Sequence, residues 1–302
     1  MMLNGIRFAT YNIQFGFGLD GAYDLERIAD AVSDADIICM QEVTTHWQAC
    51  KFDHQPDVLA SLLNRYAVYG LGYELDSSSL DAEGRVVNTR RGFGNAVLSR
   101  WPVSYSRIHS LPRPVDDTVA DTKTDLPRCA LETVIDVPGV PLRVMSVHLS
   151  HQSRLQRLTQ VAVLRALLHE LPGESLMWKQ PKTTQHPWSE GKPVPHVTVP
   201  TLLAGDFNFE PGDPEYGAML ASPNGTAVVD AWSIKNTATD RVKTCVECDG
   251  SRTTLDYVFV TSDLSGAVAG ASVKNDREGS DHFPLVIDLD FSGAKHPAPS
   301  PS

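Results

Sequence analysis

The 302-residue chain is 42% hydrophobic and has a formal net charge of −11. Its size and apolar content allow a substantial core, while its acidity argues against a protein held on nucleic acid mainly by a broad basic surface, since Lys and Arg supply non-specific affinity for phosphates. No window approaches the roughly 18 to 20 apolar residues of a membrane helix, and the opening Met-Met-Leu-Asn-Gly-Ile-Arg-Phe lacks a basic region followed by a long apolar run, so the chain reads as soluble and cytoplasmic.

Residues 6–12 alternate and read as a strand, residues 23–33 place Leu25, Ile28, Ala29 and Val32 at helical spacing, and residues 36–41 form a short buried-strand run. This strand-helix-strand opening predicts a parallel pair with Asn12 and Glu42 at the same edge. A helix over 56–65 and a strand over 66–74 follow. Residues 76–91 turn polar and Gly-containing and read as a loop before a strand at 93–99. A second polar loop, 109–127, precedes strands at 129–137 and 142–149, and the latter leads into a helix over about 151–171 that His151 is expected to cap. The Pro-rich insertion 174–200, with Trp178 and Trp188, reads as a surface loop away from the site, and residues 201–205 resume as a strand.

Five cysteines, an odd count with Cys39 and Cys129 inside apparent strands, favour reduced thiols. Cys245-Val-Glu-Cys248 has no second Cys/His pair at zinc-like spacing, so it reads as a loop with two incidental thiols. The Pro-rich residues 293–302 read as a disordered tail, leaving 1–292 as one domain.

Seven short segments carry residues suited to holding a metal ion or a phosphate oxygen, most of them after apparent strands: Ala9-Thr10-Tyr11-Asn12, Met40-Gln41-Glu42, Gly94-Asn95-Ala96, Ser146-Val147-His148, Gly205-Asp206-Phe207-Asn208, Leu255-Asp256-Tyr257 and Ser280-Asp281-His282. Strand ends meet at one edge of an α/β sheet, where ligands collect, so these residues can converge. Glu42 follows the apolar Ile37-Ile38-Cys39-Met40, where a carboxylate facing the core unpaired is costly. Asp206 and Asn208 are expected on one strand face by the two-residue period. Alone, an Asp/Asn pair beside Gly is an ordinary turn, and an Asp-His before a strand an ordinary cap.

The set and its order resemble the endonuclease/exonuclease/phosphatase superfamily, which includes deoxyribonuclease I. The resemblance implies an α/β fold: a four-layer α/β sandwich of two mixed β-sheets packed face to face with helices outside. It implies Mg²⁺ or Mn²⁺ near Asn12, Glu42 and Asp281. It also implies Asp206 directing the attacking water, Asn208 bonding a phosphate oxygen, His282 oriented by Asp256, and His148 at the leaving or a non-bridging oxygen. Asn95 resembles the family segment that enters from the second sheet, and Arg90 and Arg91 are candidate phosphate clamps, since guanidinium suits bidentate contact. The activity implied is hydrolysis of a phosphate ester by direct attack of water. The acidic balance favours a small-molecule, nucleotide or lipid-headgroup ester over DNA or RNA, and a binding protein that has lost catalysis ranks below both because all the motif residues stand. The Trp-Cys-Asp-Arg segment of inositol 5-phosphatases is absent, Arg252-Thr253-Thr254-Leu255 preceding Asp256.

Overall fold

The computed structural model describes residues 5–119, 125–170, 199–221, 225–236, 241–275 and 278–292. Almost all of the insertion 174–200 and the tail 293–302 lie outside the described residues. The chain runs β1 (Gly5–Asn12), α1 (Leu25–Val32), β2 (Ile37–Thr45), α2 (Gln55–Leu63), β3 (Tyr66–Asp76), a small hairpin of β4 (Ser79–Leu80) and β5 (Val86–Val87), and β6 (Arg90–Ser99). Next come β7 (Val103–Ser110), β8 (Cys129–Ile135), β9 (Leu142–His148), α3 (Arg154–Leu167), β10 (Thr201–Asp206), α4 (Pro214–Leu220), β11 (Val228–Asp230) and α5 (Ala231–Lys235). A second small hairpin, β12 (Cys245–Val246) and β13 (Arg252–Thr253), leads to β14 (Asp256–Thr261), β15 (Val268–Val273) and β16 (Leu285–Asp290).

Two six-stranded sheets result, ordered β15-β16-β1-β2-β6-β3 and β11-β14-β10-β9-β8-β7. Among the described residues only β1–β2 and β9–β10 pair in parallel, so both sheets are mixed. Alternate residues of the strands fill different layers, as the two-residue period requires. Ile6, Phe8, Ile37, Cys39, Val144, Leu202, Val258 and Ile287 share the core between the sheets. Their neighbours Ala9, Tyr11, Ile38 and Met40 pack outward under α1 and α2, and Met145, Leu203, Tyr257 and Phe259 under α3 and α4. The fold is the expected four-layer sandwich.

Local chemistry moves several boundaries. The predicted loop 76–91 contains the β4–β5 hairpin, closed by Gly84 at φ 74° with its N–H on Asp81 O, and β6 already begins at Arg90. The long helix starts at Arg154 because the Ser153 side chain accepts from Gln156 N–H; His151 is not its cap. Strand β7 went unassigned in the sequence because its burial is patchy, with exposed Ser106 and Ile108 beside buried Tyr105.

One buried ionic cluster ties the second sheet to its helix. Glu132 on β8 accepts from Arg143 Nε on β9 (2.7 Å) and contacts His109 Nε2 on β7 (2.7 Å), while Arg143 also donates to the Leu167 and Glu170 carbonyls at the end of α3. Burial pushes the Glu132 pKa up, but the His109 hydrogen bond and the Arg143 charge outweigh it and leave the carboxyl below its ordinary value. Its stabilisation is therefore present above the unfolded carboxyl pKa of about 4.3 and is lost as pH falls through the folded value. Glu132→Gln leaves Arg143 as an uncompensated buried charge and should cost about 3–5 kcal/mol at pH 7. Urea melts at pH 7 and pH 3 should show that gap narrow in acid; an equal gap at both pH values would refute the linkage.

Candidate active site

At one edge of the sandwich the inner layer changes character. The inner-face series Phe8, Thr10, Asn12 on β1 passes from apolar to polar within two steps, as do Val144, Ser146, His148 on β9, Leu202, Ala204, Asp206 on β10 and, read backwards, Val260, Val258, Asp256 on β14. A layer of neutral polar contacts separates the two regimes. Gln41 Nε2 donates to Ser146 Oγ (3.0 Å) across the sheets, the Thr10 hydroxyl donates to Gln41 Oε1 (3.3 Å), and Asn95 Nδ2 donates to the Cys129 and Ser146 carbonyls (2.9 and 3.2 Å).

Beyond that layer lies a cavity of about 300 Å³ whose wall includes Glu42, Arg128, His148, Asp206, Asn208, Asp281 and His282. Glu42 reaches it through an irregularity. Between the pairs Met40↔Ala96 and Val43↔Gly94, Gln41 and Glu42 oppose the single residue Asn95, a β-bulge, and Glu42 takes φ 57°. Strict alternation would have sent its side chain outward with Met40; the bulge re-aims it. Strand β2 thus continues past Glu42 instead of stopping before it, as the sequence had suggested.

Asp206 is the most constrained member. Gly205 sits at φ 150°, and a Cβ there would lie 1.9 Å from Val147 O, so only glycine lets β10 approach β9 and bring Asp206 beside His148. Asp206 Oδ1 accepts from Asn208 N–H (2.9 Å), an Asx turn that holds Asn208 at φ 52°, and Oδ2 accepts from Asn12 Nδ2 (2.9 Å). The same Oδ2 lies 3.4 Å from His148 Nε2 and 3.7 Å from His282 Nε2. His282 Nδ1–H donates to Asp256 Oδ2 (2.8 Å), which fixes Nε2 toward the cavity. The segment bearing it is pinned by Phe283 N–H on Thr244 O (2.7 Å) and by Ser280 Oγ on Asn12 O (2.8 Å).

The electrostatics follow from burial. Desolvation raises Glu42 to about 7 against the opposing Arg128 and His282 charges, and raises Asp206 to about 6. It also raises Asp281. His148 is held well below the imidazole range by burial and by the Arg128 cation, whose Nη1 lies 2.9 and 3.0 Å from its two ring nitrogens. For His282, burial opposes the charge, but Asp256 and Asp206 prevail and keep its pKa well above the usual value. Two histidines of one site are thus driven in opposite directions.

This donor set fits a hard divalent cation. Glu42, Asp206 and Asp281 supply carboxylates whose ionised forms burial disfavours, and Asp256 Oδ1 is buried with no hydrogen-bond partner among the described residues. Among the described residues no three His, Cys, Asp or Glu side chains close around one point.

Several expected members lie elsewhere. Asn12 does not present its oxygen to the cavity: Oδ1 accepts from Gln14 N–H (3.1 Å) and Nδ2 faces Asp206, so both partners fix the amide's orientation. Asn95 sits on β6 in the first sheet, and its amide N–H groups are turned to the carbonyls of the second sheet beneath the cavity. Arg90 and Arg91 are absent from the cavity wall, because the β3–β6 register sets Arg90 against Glu74 and Asp76 while Arg91 stacks 4.9 Å from the Trp47 ring centre. Their place is taken by Arg128, which sequence reasoning missed. The available signal was topological: β8 runs antiparallel to β9, so the residue preceding β8 falls beside the His148 end. His151, expected to cap a helix, lines the cavity with Nδ1 3.2 Å from Asn208 Oδ1, and the Cys245–Cys248 turn forms another wall.

Two mixed sheets in four layers, with acids and histidines gathered at one edge, define the deoxyribonuclease I-like hydrolase fold. The chain belongs to the Endonuclease/Exonuclease/phosphatase family, whose profile matches residues 9–282. Among solved structures it is similar to an endonuclease/exonuclease/phosphatase from Beutenbergia cavernae (24% identity, 95% of this chain and 72% of that one, TM-score 0.65). It is also similar to a mannosyl-6-phosphatase from Bacteroides thetaiotaomicron (18%, 95% and 100%, 0.61) and to truncated Caenorhabditis elegans TDP2 (15%, 95% and 97%, 0.56). No curated protein matches the chain in sequence.

If Glu42 is the principal cation ligand, Mn²⁺ should raise the melting temperature of the protein by linkage, and Glu42→Ala should lose most of that rise. Without metal the variant should melt no lower than the parent, because a carboxylate that burial disfavours has been removed. Scanning fluorimetry with and without Mn²⁺ reads both; an undiminished rise in the variant would reject Glu42.

Proposed function

We propose that the protein is a divalent-metal-dependent phosphohydrolase that cleaves a small phosphate ester by direct attack of water. The observation that carries the reading is Asp206: a buried carboxylate anchored by Asn12 and Asn208, between two histidines of opposite protonation preference.

With a pKa near 6, Asp206 is ionised at neutral pH yet basic enough to take a proton from an incoming water. His282, kept protonated by Asp256 and Asp206, offers its Nε2–H to a phosphate oxygen as charge develops there. His148 is neutral and lies 3.4 Å from the same Asp206 oxygen that His282 approaches, while Arg128 supplies a fixed cation for a non-bridging oxygen. Asn208 uses one amide N–H on Leu149 O (3.0 Å) and has a second for the substrate. Glu42 and Asp281 would hold the ion. A bound Mg²⁺ or Mn²⁺ supplies neutralisation of the phosphate oxygens and stabilisation of the leaving oxygen.

A small phosphodiester or phosphomonoester is favoured over nucleic acid because, among the described residues, Arg128 is the one Arg or Lys in the cavity wall, while Arg90 is held by Glu74 and Asp76 and Arg91 stacks on Trp47. The fold shared with a mannosyl-6-phosphatase accommodates such a substrate. A site drawing on residues from Asn12 to His282 favours one folding unit over 1–292. Five unpaired cysteines fit a reducing, cytoplasmic setting, and no helix among the described residues is long and apolar enough to cross a membrane.

Asp206→Ala and His282→Ala should each reduce kcat on bis-4-nitrophenyl phosphate by at least about 10²-fold, and the double variant should fall far short of the product because the groups act in one step. Multiplicative losses in the double-mutant cycle would show separate roles. Activity should also depend weakly on salt, since one or two phosphates are engaged. Efficient plasmid nicking with a steep fall between 50 and 200 mM salt, a range over which multi-phosphate binding weakens by orders of magnitude, would return the protein to the nuclease class.

A further inference from the structure

Beside the acidic cavity lies a second one of about 300 Å³, walled by Phe15, Phe17, Trp47, Tyr73, Phe93 and Leu126. Leu126 borders both cavities, and the Phe93 ring lies 6.4 Å from that of His148 and 5.7 Å from the Arg128 guanidinium. The two spaces are therefore adjacent compartments at the same end of the sandwich.

The chemistry of the second compartment is one-sided. Two polar groups in its wall are committed internally: Trp47 Nε1–H donates to Gly92 O (2.8 Å), and the Thr44 hydroxyl donates to Cys50 Sγ (3.4 Å). What remains facing inward is mainly apolar, and the rings meet at tilted, ring-stacking distances, Phe15–Phe93 at 5.8 Å and Tyr73–Phe93 at 5.5 Å. Phe15 is held there against its own backbone preference. It sits at φ 57° after Gln14 at φ 43°, and Gln55 Nε2 fastens its carbonyl (2.6 Å). Left-handed non-glycine residues persist where surrounding structure over-determines them, commonly at functional sites.

We propose that this pocket binds an aromatic group of the substrate, so that the protein acts on an aryl-bearing phosphate ester whose phosphate lies against Arg128 and His282. This deepens, and rests on, the phosphohydrolase reading. A flat ring gains burial and offset contacts from such walls, and at the low end of the usual ligand-pocket range of about 300–1,000 Å³ the compartment suits a ring-sized group.

Phenylphosphonate and methylphosphonate test it, because each carries one organic group and neither is hydrolysed. Titration calorimetry of the Mn²⁺-loaded full chain should give phenylphosphonate a Kd on the order of 10- to 100-fold lower. Trp47→Ala and Tyr73→Ala should each reduce that ratio at least about fivefold. Because the ratio is taken within one preparation, it is insensitive to a loss of folded protein. Turnover of bis-4-nitrophenyl phosphate is measured in parallel. A protein that cleaves this ester but binds both phosphonates equally, or whose ratio survives both substitutions, refutes the aryl pocket alone. A protein that discriminates the phosphonates but cleaves no ester overturns the hydrolase reading, and with it the assignment of the pocket to a substrate.

Discussion

The structure turns on what happens to the space between its two sheets as it nears one edge. An apolar interlayer stabilises the sandwich, yet the edge must hold ionisable groups, and charges buried among aliphatic side chains are costly unless hydrogen-bonded or paired. The protein separates the regimes with a layer of neutral hydrogen bonds. Gln41 and Asn95 of the first sheet bond to Ser146 of the second, with Thr10 bracing Gln41 within its own sheet, and leave the residues beyond them, Asn12, His148, Asp206 and Asp256, free to be polar. Asn12, His148 and Asp206 close their strands and Asp256 opens β14, each strand carrying inner-face residues further along it in the core, so packing of the core sets where the site stands.

That arrangement explains why the site is electrostatically unbalanced without being disordered. Backbone geometry positions its members: a bulge aims Glu42, a glycine at van der Waals contact with Val147 admits Asp206, and an Asx turn sets Asn208. The side chains are thus held in place while their charges conflict. The elevated Glu42 and Asp206 pKa values express burial first, with neighbouring carboxylates adding to it. Preorganisation of this kind fixes the surroundings before any reacting charge appears, which is how an enclosed site stabilises a transition state.

Much of this was legible in the sequence, and the reason is periodicity. Buried strands that end in Asn12, His148, Asp206 or at Asp256 announce both the sheets and the site, because the same two-residue alternation governs core and edge. What alternation does not encode was missed. The bulge at Gln41–Glu42 breaks the period, so the strand seemed to end there. Arg128 precedes a strand and belongs to no motif; its role depends on β8 running antiparallel to β9, a fact of topology. Arg90 and Arg91 stand near a motif in sequence, but register commits Arg90 to Glu74 and Asp76. Asn95 matched a motif yet works beneath the cavity, joining sheets.

The position of Arg128 reconciles a chain of net charge −11 with the anionic substrate proposed for it. Attraction over long range would need a broad basic surface, and salt screens it within about 8–10 Å. A single guanidinium that is only 7% exposed is screened far less and acts at contact, where its geometry matters most. Arg128 is itself held by Asp125 (3.3 Å) and by the face of Phe93, the ring that also borders the aromatic compartment. On the proposed reading, the same residue pair would set where a phosphate can sit and how close an attached ring can lie, making recognition a matter of local shape and one fixed charge.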